Sequence, residues 1–151
     1  MKRKKVLFIC TGNTCRSPMA EAIFRTEIKR RKIKFVDAAS AGIFAEGSTQ
    51  INEKSAACLT ALNIDFSKFH PRQLKHKMIE SSFLVICMTN AQSELLNSFE
   101  NVHSIEEIVG FEIPDPYGQS MSVYKKTAEL IQTAVNLIID KYFIENDTQG
   151  V

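Results

Sequence analysis

The sequence lacks any long apolar run, and nothing in its 151 residues approaches the roughly 18 apolar residues needed to cross a bilayer. The basic start, Met1 to Lys5, resembles the opening of a signal peptide. The apolar run that follows, Val6 to Cys10, is too short for one. Positive and negative charges nearly balance, with a net charge of only +2. This balance gives no case for nucleic acid or membrane binding. We therefore expect a cytoplasmic protein that binds neither.

Cysteine and histidine are few as well, with four and three residues. Cys10 and Cys15 have no second close Cys or His pair to complete a zinc site, so we expect no metal. Cys58 and Cys87 lie in apolar patterns that predict core positions, and a reduced compartment makes disulfides unexpected. No loop ends in the Gly-Lys-Ser/Thr of a nucleotide-binding P-loop, which excludes that function.

The chain also has no internal repeat, low-complexity run or linker, so we expect one domain over residues 1–151, with a polar tail from about residue 145. Strand-like apolar runs alternate with helical patterns. This alternation predicts an α/β fold, a three-layer doubly wound sandwich with a central four-stranded parallel sheet. The predicted strands begin at Val6, Phe35, Phe83 and Val102, and a long helix runs from Ser120 or Ser122 to about Phe143.

One stretch, V-L-F-I-C-T-G-N-T-C-R-S-P, joins a buried strand to a helix through a tight polar loop. Ser17 is the predicted N-cap of that helix and Pro18 its first residue, where a missing N–H costs nothing. Backbone N–H groups and the positive end of the helix dipole then converge on one spot, which suits a phosphate or a thiolate. Gly12 permits a backbone angle that such a loop needs, and Asn13 tolerates left-handed geometry.

Cys10 and Arg16 carry the chemistry of this loop in the pattern C-x5-R. The thiolate is the nucleophilic form of cysteine, and helix N-termini and neighbouring arginines favour it. We predict that Cys10 lies beneath a bound phosphorus atom and that the planar guanidinium of Arg16 binds two phosphate oxygens. The remaining residues of the predicted phosphate-binding loop are Thr11, Gly12, Asn13, Thr14, Cys15 and Ser17. The alternative is a plain strand-to-helix turn with two small buried cysteines.

The run V-L-F-I-C-T-G-N-T-C-R-S-P-M-A-E-A closely resembles the signature of the low-molecular-weight protein tyrosine phosphatase family. The segment Asp115-Pro116-Tyr117-Gly118 resembles the general-acid motif of that family, and the resemblance extends from Lys5 to about Phe143. It implies that phosphorylated protein side chains are hydrolysed through a phosphocysteine intermediate on Cys10. Asp115 would protonate the leaving group and then activate water. No cofactor is implied, and we expect a monomer.

The same resemblance implies a role for Ser17, which would stabilise the thiolate by a hydrogen bond. It also implies that the loop from Ile43 to Gln50 borders the active-site opening. One family feature does not transfer. Many members carry a supporting histidine near an Arg-Gln pair, but His70 lies only two residues before Arg72, outside the usual H-x-A-R-Q spacing. We predict a surface or turn position for His70.

Thr14 determines which phosphorylated residue we favour. The tyrosine-specific branch of the family usually has Ile at this position, whereas threonine resembles the bacterial protein-arginine-phosphatase branch. A hydroxyl can favour a polar guanidinium and narrow the pocket against a flat phenyl ring. Gly118 after Tyr117 also departs from the D-P-Y-Y form common in tyrosine phosphatases. We therefore favour phosphoarginine over phosphotyrosine, with Thr14 and Tyr117 as the residues that select the substrate.

Two further classes of function stay open. A thiol or arsenate reductase on the same scaffold would need further thiols beside Cys10 and would leave Asp115 without a purpose. A non-catalytic phosphate-binding module is disfavoured because Cys10, Arg16, Ser17 and Asp115 occur together. Cys15 is either a redox partner of Cys10, since a disulfide is sterically feasible across one tight loop, or a residue that only packs the loop.

Overall fold

The computed structural model describes residues 3–144 and places four strands and six α-helices in that range. The strands are β1 (Lys4–Cys10), β2 (Val36–Gly42), β3 (Leu84–Cys87) and β4 (Val102–Ser104). The helices are α1 (Arg16–Arg30), α2 (Glu53–Ala61), α3 (His76–Glu80), α4 (Asn90–Glu94), α5 (Ile105–Val109) and α6 (Met121–Ile139), and a π-helical turn (Asp140–Ile144) follows α6. The predicted polar tail from about residue 145 lies outside the described residues.

The four strands form one parallel sheet in the order β2-β1-β3-β4. Cys10 at the end of β1 lies opposite Gly42 of β2, and Ile9 lies opposite Cys87 of β3. The chain adds β2 on one side of β1 and β3 with β4 on the other, so the direction of winding reverses between β1 and β3. Ligands of such sheets bind beyond the carboxyl ends of the strands at this point. The predicted doubly wound α/β fold is confirmed.

Helices cover both faces of the sheet because successive side chains of a strand point in opposite directions. Val6 and Phe8 pack in a core with residues of α1 and α6. Leu7 and Ile9 pack on the other face, against Ile79 of α3 and the segment after α4. This two-sided burial explains why β1 and β3 are continuous runs of apolar residues.

The start of α1 differs from the prediction. Ser17 is not its N-cap, because the helix begins at Arg16 and Cys15 occupies the N-cap position without a side-chain capping hydrogen bond. A serine before a proline is typical of a cap, but the Ser17 hydroxyl is instead engaged with Cys10 and Asn13. Arg16 is therefore in the first turn, where backbone N–H groups have no partner within the helix.

The end of α6 also differs from the prediction. Ser120, one of the two predicted starts, is its N-cap, but the helix ends at Ile139 rather than near Phe143 because the chain continues as a π-helical turn. Across the described part of the chain, no helix combines the length and the apolar character that a membrane span requires.

Candidate active site

The predicted site lies at the carboxyl end of β1, where the loop of residues 11–15 leads into α1. Cys10 is the last residue of β1 and Arg16 the first of α1, and both are almost fully buried, at 3% and 4% exposure. The structure therefore brings the two ends of the C-x5-R pattern to the same end of the sheet, as predicted. Asp115 reaches the same place from the segment between α5 and α6.

The loop turns sharply at Asn13, which is fully buried and has a positive φ of 55°. Asn13 thus adopts the left-handed geometry that asparagine tolerates, whereas Gly12, where we expected a special backbone angle, has no positive φ. Among the contacts of residues 3–144, no backbone N–H group of residues 11–15 donates to a protein acceptor. These donors and the N–H groups in the first turn of α1 are thus available to bind an oxyanion.

The carboxyl end of β2 approaches this loop closely at Gly42. A Cβ atom added there would lie 2.6 Å from the carbonyl oxygen of Thr11 and 2.8 Å from the backbone nitrogen of Asn13. Only glycine fits such a close approach of two backbones. Gly42 therefore shapes the loop although its sequence position marks only the end of a strand.

A buried chain of hydrogen bonds leads from the loop into the protein. Ser17 Oγ lies 2.8 Å from Cys10 Sγ, and the Asn13 side-chain amide donates to Ser17 Oγ at 2.8 Å. The same amide donates to Ser40 Oγ at 2.9 Å, and the Ser40 hydroxyl donates to the Glu21 carboxylate at 2.7 Å. The carboxylate can only accept and the amide nitrogen can only donate, so the Ser17 oxygen accepts from Asn13 and its hydroxyl hydrogen remains available to Cys10 Sγ.

Sequence analysis did not find Ser40 or Glu21. Glu21 is buried, at 5% exposure, and its charge is paired with Arg25 at 3.2 Å. Burial of a carboxylate is costly unless it is paired and hydrogen-bonded. The Glu21 carboxylate meets both conditions, through Arg25 and Ser40. The sequence signal that could have indicated Glu21 is its spacing of four residues from Ser17, which places both side chains on one face of α1.

Arg16 is held by the segment that precedes Asp115. Its Nη1 donates to the carbonyl oxygen of Ile113 at 3.0 Å, and its Nη2 lies 3.8 Å from Asp115 Oδ2. The guanidinium is buried and the Asp115 side chain is 53% exposed, so this ion pair is open to solvent on the side of Asp115.

Asp115 lies on a short turn that projects over the loop. Asp115 Oδ1 accepts a hydrogen bond from the backbone N–H of Tyr117 at 3.1 Å, and Gly118 follows with a φ of 79°. The Lys54 ammonium of α2 donates to the carbonyl oxygen of Gln119 at 2.6 Å and so ties this turn to the body of the protein. The Tyr117 ring is 71% exposed.

Thr14 is half-buried in the loop. Its carbonyl oxygen accepts a hydrogen bond from the backbone N–H of Asn52 at 2.9 Å, which ties the loop to the start of α2. Within the described part of the chain, its hydroxyl makes only a long contact of 3.8 Å, with the sulfur of Cys15. The Thr14 hydroxyl therefore retains capacity to bond a ligand.

All four cysteines are free, buried thiols. Cys15 Sγ lies 3.4 Å from the Tyr124 hydroxyl of α6, and burial, followed by this hydrogen bond, raises the pKa of Tyr124. Burial raises the pKa of the Cys87 thiol to about 12 and also raises that of Cys58. Residues 3–144 contain no group of three or more His, Cys, Asp or Glu side chains that could hold a metal ion.

His70 is exposed, as predicted, and the neighbouring Arg-Gln pair supports the loop without it. The backbone N–H of Arg72 donates to Asn13 Oδ1 at 2.8 Å. The Gln73 side chain accepts from the Ala45 N–H at 2.7 Å and donates to the Ile43 carbonyl oxygen at 2.7 Å. Gln73 therefore fixes the start of the loop after β2.

Known proteins resemble this chain over most of its length. The family model described as low molecular weight phosphotyrosine protein phosphatase matches residues 5–146. A protein-arginine-phosphatase of Bacillus subtilis (strain 168) is 31% identical over 135 residues, which cover 84% of this chain and 89% of that protein. The low molecular weight protein-tyrosine-phosphatase PtpB of Staphylococcus epidermidis is 33% identical over 144 residues, which cover 91% of this chain and 99% of that protein.

A solved structure, the low molecular weight protein tyrosine phosphatase from T. tengcongensis, has the same fold, with a TM-score of 0.86 and 36% sequence identity. The match covers 91% of this chain and 99% of that one. The predicted resemblance is thereby confirmed. The chain belongs to the low-molecular-weight protein tyrosine phosphatase family, whose members are cysteine-based hydrolases that act on phosphorylated proteins.

Proposed function

We propose that the chain hydrolyses phosphorylated side chains through a phosphocysteine on Cys10, with phosphoarginine as the favoured substrate. The observation that carries this proposal is the convergence of Cys10, Arg16 and Asp115 around a loop whose backbone N–H groups donate to no acceptor of residues 3–144. Each residue can take one role in phosphoryl transfer.

In the first step the Cys10 thiolate attacks phosphorus, and the bond from phosphorus to the leaving atom breaks. That atom is a guanidinium nitrogen in phosphoarginine and a phenolic oxygen in phosphotyrosine. Asp115 gives its proton to the leaving atom. Arg16 and the loop amides stabilise the charge on the equatorial oxygens, which supplies most of the rate enhancement in such sites.

In the second step water attacks the phosphocysteine, and the phosphorus–sulfur bond breaks. The Asp115 carboxylate accepts the proton from this water, which returns it to its starting state. Phosphate leaves, and the sulfur of Cys10 takes the electron pair as a thiolate. The Ser17 hydroxyl, 2.8 Å from the sulfur, stabilises that thiolate.

Thr14 supports phosphoarginine over phosphotyrosine. Among residues 3–144 its hydroxyl has only a 3.8 Å contact, with the sulfur of Cys15, and it can accept from a guanidinium N–H group of the substrate. A phenyl ring has no donor at that position, so the hydroxyl would be desolvated without a partner. Relatives of similar identity are named both for protein arginine and for protein tyrosine phosphatase activity, so overall identity does not favour either substrate.

Rates on matched phosphoarginine and phosphotyrosine peptides test the substrate. Thr14→Ile removes the hydroxyl, and we expect the ratio of the two kcat/KM values to fall by about tenfold to a hundredfold. Thr60→Ile, at an exposed position of α2, is the matched control and should keep the wild-type ratio. A wild-type preference for phosphotyrosine, or an unchanged ratio in Thr14→Ile, would support a protein tyrosine phosphatase instead.

Cys10→Ser tests the nucleophile. We expect loss of turnover while phosphate or vanadate still binds, because Arg16 and the loop amides are unchanged. Cys58→Ala, which removes a buried thiol away from the loop, should keep turnover. Appreciable hydrolysis by Cys10→Ser would contradict this role, and turnover absent from the wild type would favour a non-catalytic phosphate-binding module.

A further inference from the structure

A groove of about 320 Å³ opens beside the candidate active site, and Arg16 and Asp115 are among the residues that line it. Its remaining walls come from the loop after β2, with Ile43 and Phe44, and from the region of α4, with Leu95. The volume lies at the lower end of the range for ligand pockets, roughly 300–1,000 Å³. The mechanism proposed above uses none of these three apolar residues.

Two large apolar side chains of this groove are open to solvent. Phe44 is 75% exposed and Leu95 is 68% exposed. Single exposed apolar residues are ordinary on protein surfaces, but two that line one groove beside a candidate active site offer apolar surface to a ligand.

The polar side chains of the groove are already bonded to one another. The Gln92 side chain accepts from the Thr89 N–H at 3.1 Å and donates to the Thr11 hydroxyl at 3.2 Å. The Thr89 hydroxyl in turn accepts from the Gln92 N–H at 3.3 Å. Because these groups have partners, the wall away from Arg16 and Asp115 presents mainly apolar surface to an incoming group.

Phe44 is held in place relative to the phosphate-binding loop. Its backbone N–H donates to the carbonyl oxygen of Thr11 at 2.8 Å, and the carbonyl oxygen of Ile43 accepts from the Gln73 side chain at 2.7 Å. The backbone that carries Phe44 is therefore already ordered, which reduces the conformational entropy that this wall loses on binding.

We propose that this groove binds an apolar side chain next to the phosphorylated residue of a protein substrate. Arg16 lines both the phosphate site and the groove, so a substrate whose phosphate contacts Arg16 places a neighbouring residue over Phe44 and Leu95. Consecutive Cα atoms are about 3.8 Å apart, which lets an adjacent side chain reach that wall. The enzyme thereby selects phosphorylated segments with an apolar neighbour. This inference rests on the proposed phosphatase function and defines its substrate class.

Peptides that share one phosphorylated residue and differ only beside it test the proposal. The flanking residue is Leu, Ser or Glu on either side, and kcat/KM is measured with the wild type, Phe44→Ala, Leu95→Ala and Leu137→Ala. Leu137 is a matched control because it is 43% exposed on α6 and does not line the groove. A small aryl phosphate, assayed with the wild type and Leu137→Ala, reports turnover without flanking residues.

We expect the wild type to prefer Leu over Glu on one side by about tenfold, as for partial burial of one large apolar side chain. Phe44→Ala and Leu95→Ala should bring this ratio close to one, and Leu137→Ala should keep it. Equal rates on all flanking residues, with aryl phosphate turned over, would overturn the proposal and leave the phosphatase function standing. No turnover of any phosphorylated compound would overturn the phosphatase function itself. Dimerisation lost in Phe44→Ala, with the ratio unchanged, would make the groove a contact between two copies.

Discussion

Ser17 Oγ and Cys10 Sγ lie 2.8 Å apart, and the Asn13 side-chain amide donates to the same Ser17 oxygen at 2.8 Å. The Ser17 oxygen accepts from this amide, and when Cys10 is a thiolate its sulfur can only accept, so the Ser17 hydroxyl then donates to the sulfur. The donor is therefore aligned with the predicted nucleophile before a substrate binds, and no reorganisation is needed when the thiolate forms.

Ser17→Ala should lower kcat by about tenfold to a hundredfold, since a hydrogen bond to a charged group contributes about 1.5–3 kcal/mol. Steady-state kinetics on a small aryl phosphate measure this loss. Ser81→Ala is the matched control, because the exposed Ser81 hydroxyl donates only to the Met78 carbonyl oxygen. An unchanged kcat in Ser17→Ala, with both variants folded, would show that this contact does not support the reaction.

Asp115→Asn should slow the release of poor leaving groups far more than that of activated aryl phosphates, which need little protonation. A series of aryl phosphates with increasing leaving-group pKa measures this difference as a steeper dependence of kcat/KM. Asp65→Asn is the control, because Asp65 accepts the Ser67 N–H at 3.0 Å much as Asp115 accepts the Tyr117 N–H at 3.1 Å. An equal loss across the series would assign Asp115 a structural role.

The sequence was sufficient to predict the sheet and the loop because their signals are local. Continuous apolar runs marked β1 and β3, and a single contiguous motif carried Cys10 to Ser17. Ser40 and Glu21 could not be predicted in this way. Their roles depend on the register that pairs Ser40 with Phe8, and no local pattern distinguishes such a serine from one that faces solvent.

The prediction that Ser17 is the N-cap of α1 was wrong because it too considered only neighbouring residues. A serine before a proline has the local features of an N-cap, but a cap competes with tertiary partners for the same hydroxyl. Here the sulfur of Cys10 and the amide of Asn13 take that hydroxyl, and the helix starts at Arg16 instead. The groove beside the loop could not be predicted either, because Phe44 and Leu95, far apart in sequence, line one groove only in the folded chain.

Cys15 should protect Cys10 from irreversible oxidation. Peroxide converts the Cys10 thiolate to a sulfenic acid, and attack by the Cys15 sulfur then forms a disulfide and releases water, which an added thiol reverses. We expect Cys15→Ser to recover less activity than the wild type after peroxide and then thiol treatment. Cys87 cannot replace Cys15 in this attack, because burial raises the pKa of the Cys87 thiol to about 12 and so disfavours its reactive thiolate form.

Cys58→Ala is the control for this experiment and should recover as the wild type does. In the reduced protein the Cys15 sulfur lies 3.4 Å from the Tyr124 hydroxyl, so disulfide formation requires that this contact break. Mass spectrometry of the oxidised wild type should show a bond between Cys10 and Cys15. Full recovery by Cys15→Ser would leave Cys15 as a residue that only packs the loop.

Asn13 combines a left-handed backbone with three side-chain hydrogen bonds, to Ser17, Ser40 and the N–H of Arg72. Asn13→Ala and Asn13→Gly both remove these bonds, and leaving buried partners unsatisfied should lower the free energy of unfolding by at least about 2 kcal/mol in each. Glycine adopts the positive φ of 55° without strain, and alanine does not.

At most ordered positions, alanine gives a more stable protein than glycine, and we expect the reverse at residue 13. We expect Asn13→Gly to be more stable than Asn13→Ala by about 1 kcal/mol, because relief of left-handed strain exceeds the entropic cost of glycine. Urea unfolding measures both values, and Ala61→Gly, at an exposed position of α2, is a control in which glycine should destabilise. If Asn13→Ala proved the more stable variant, left-handed strain at residue 13 would be too small to affect the free energy of unfolding.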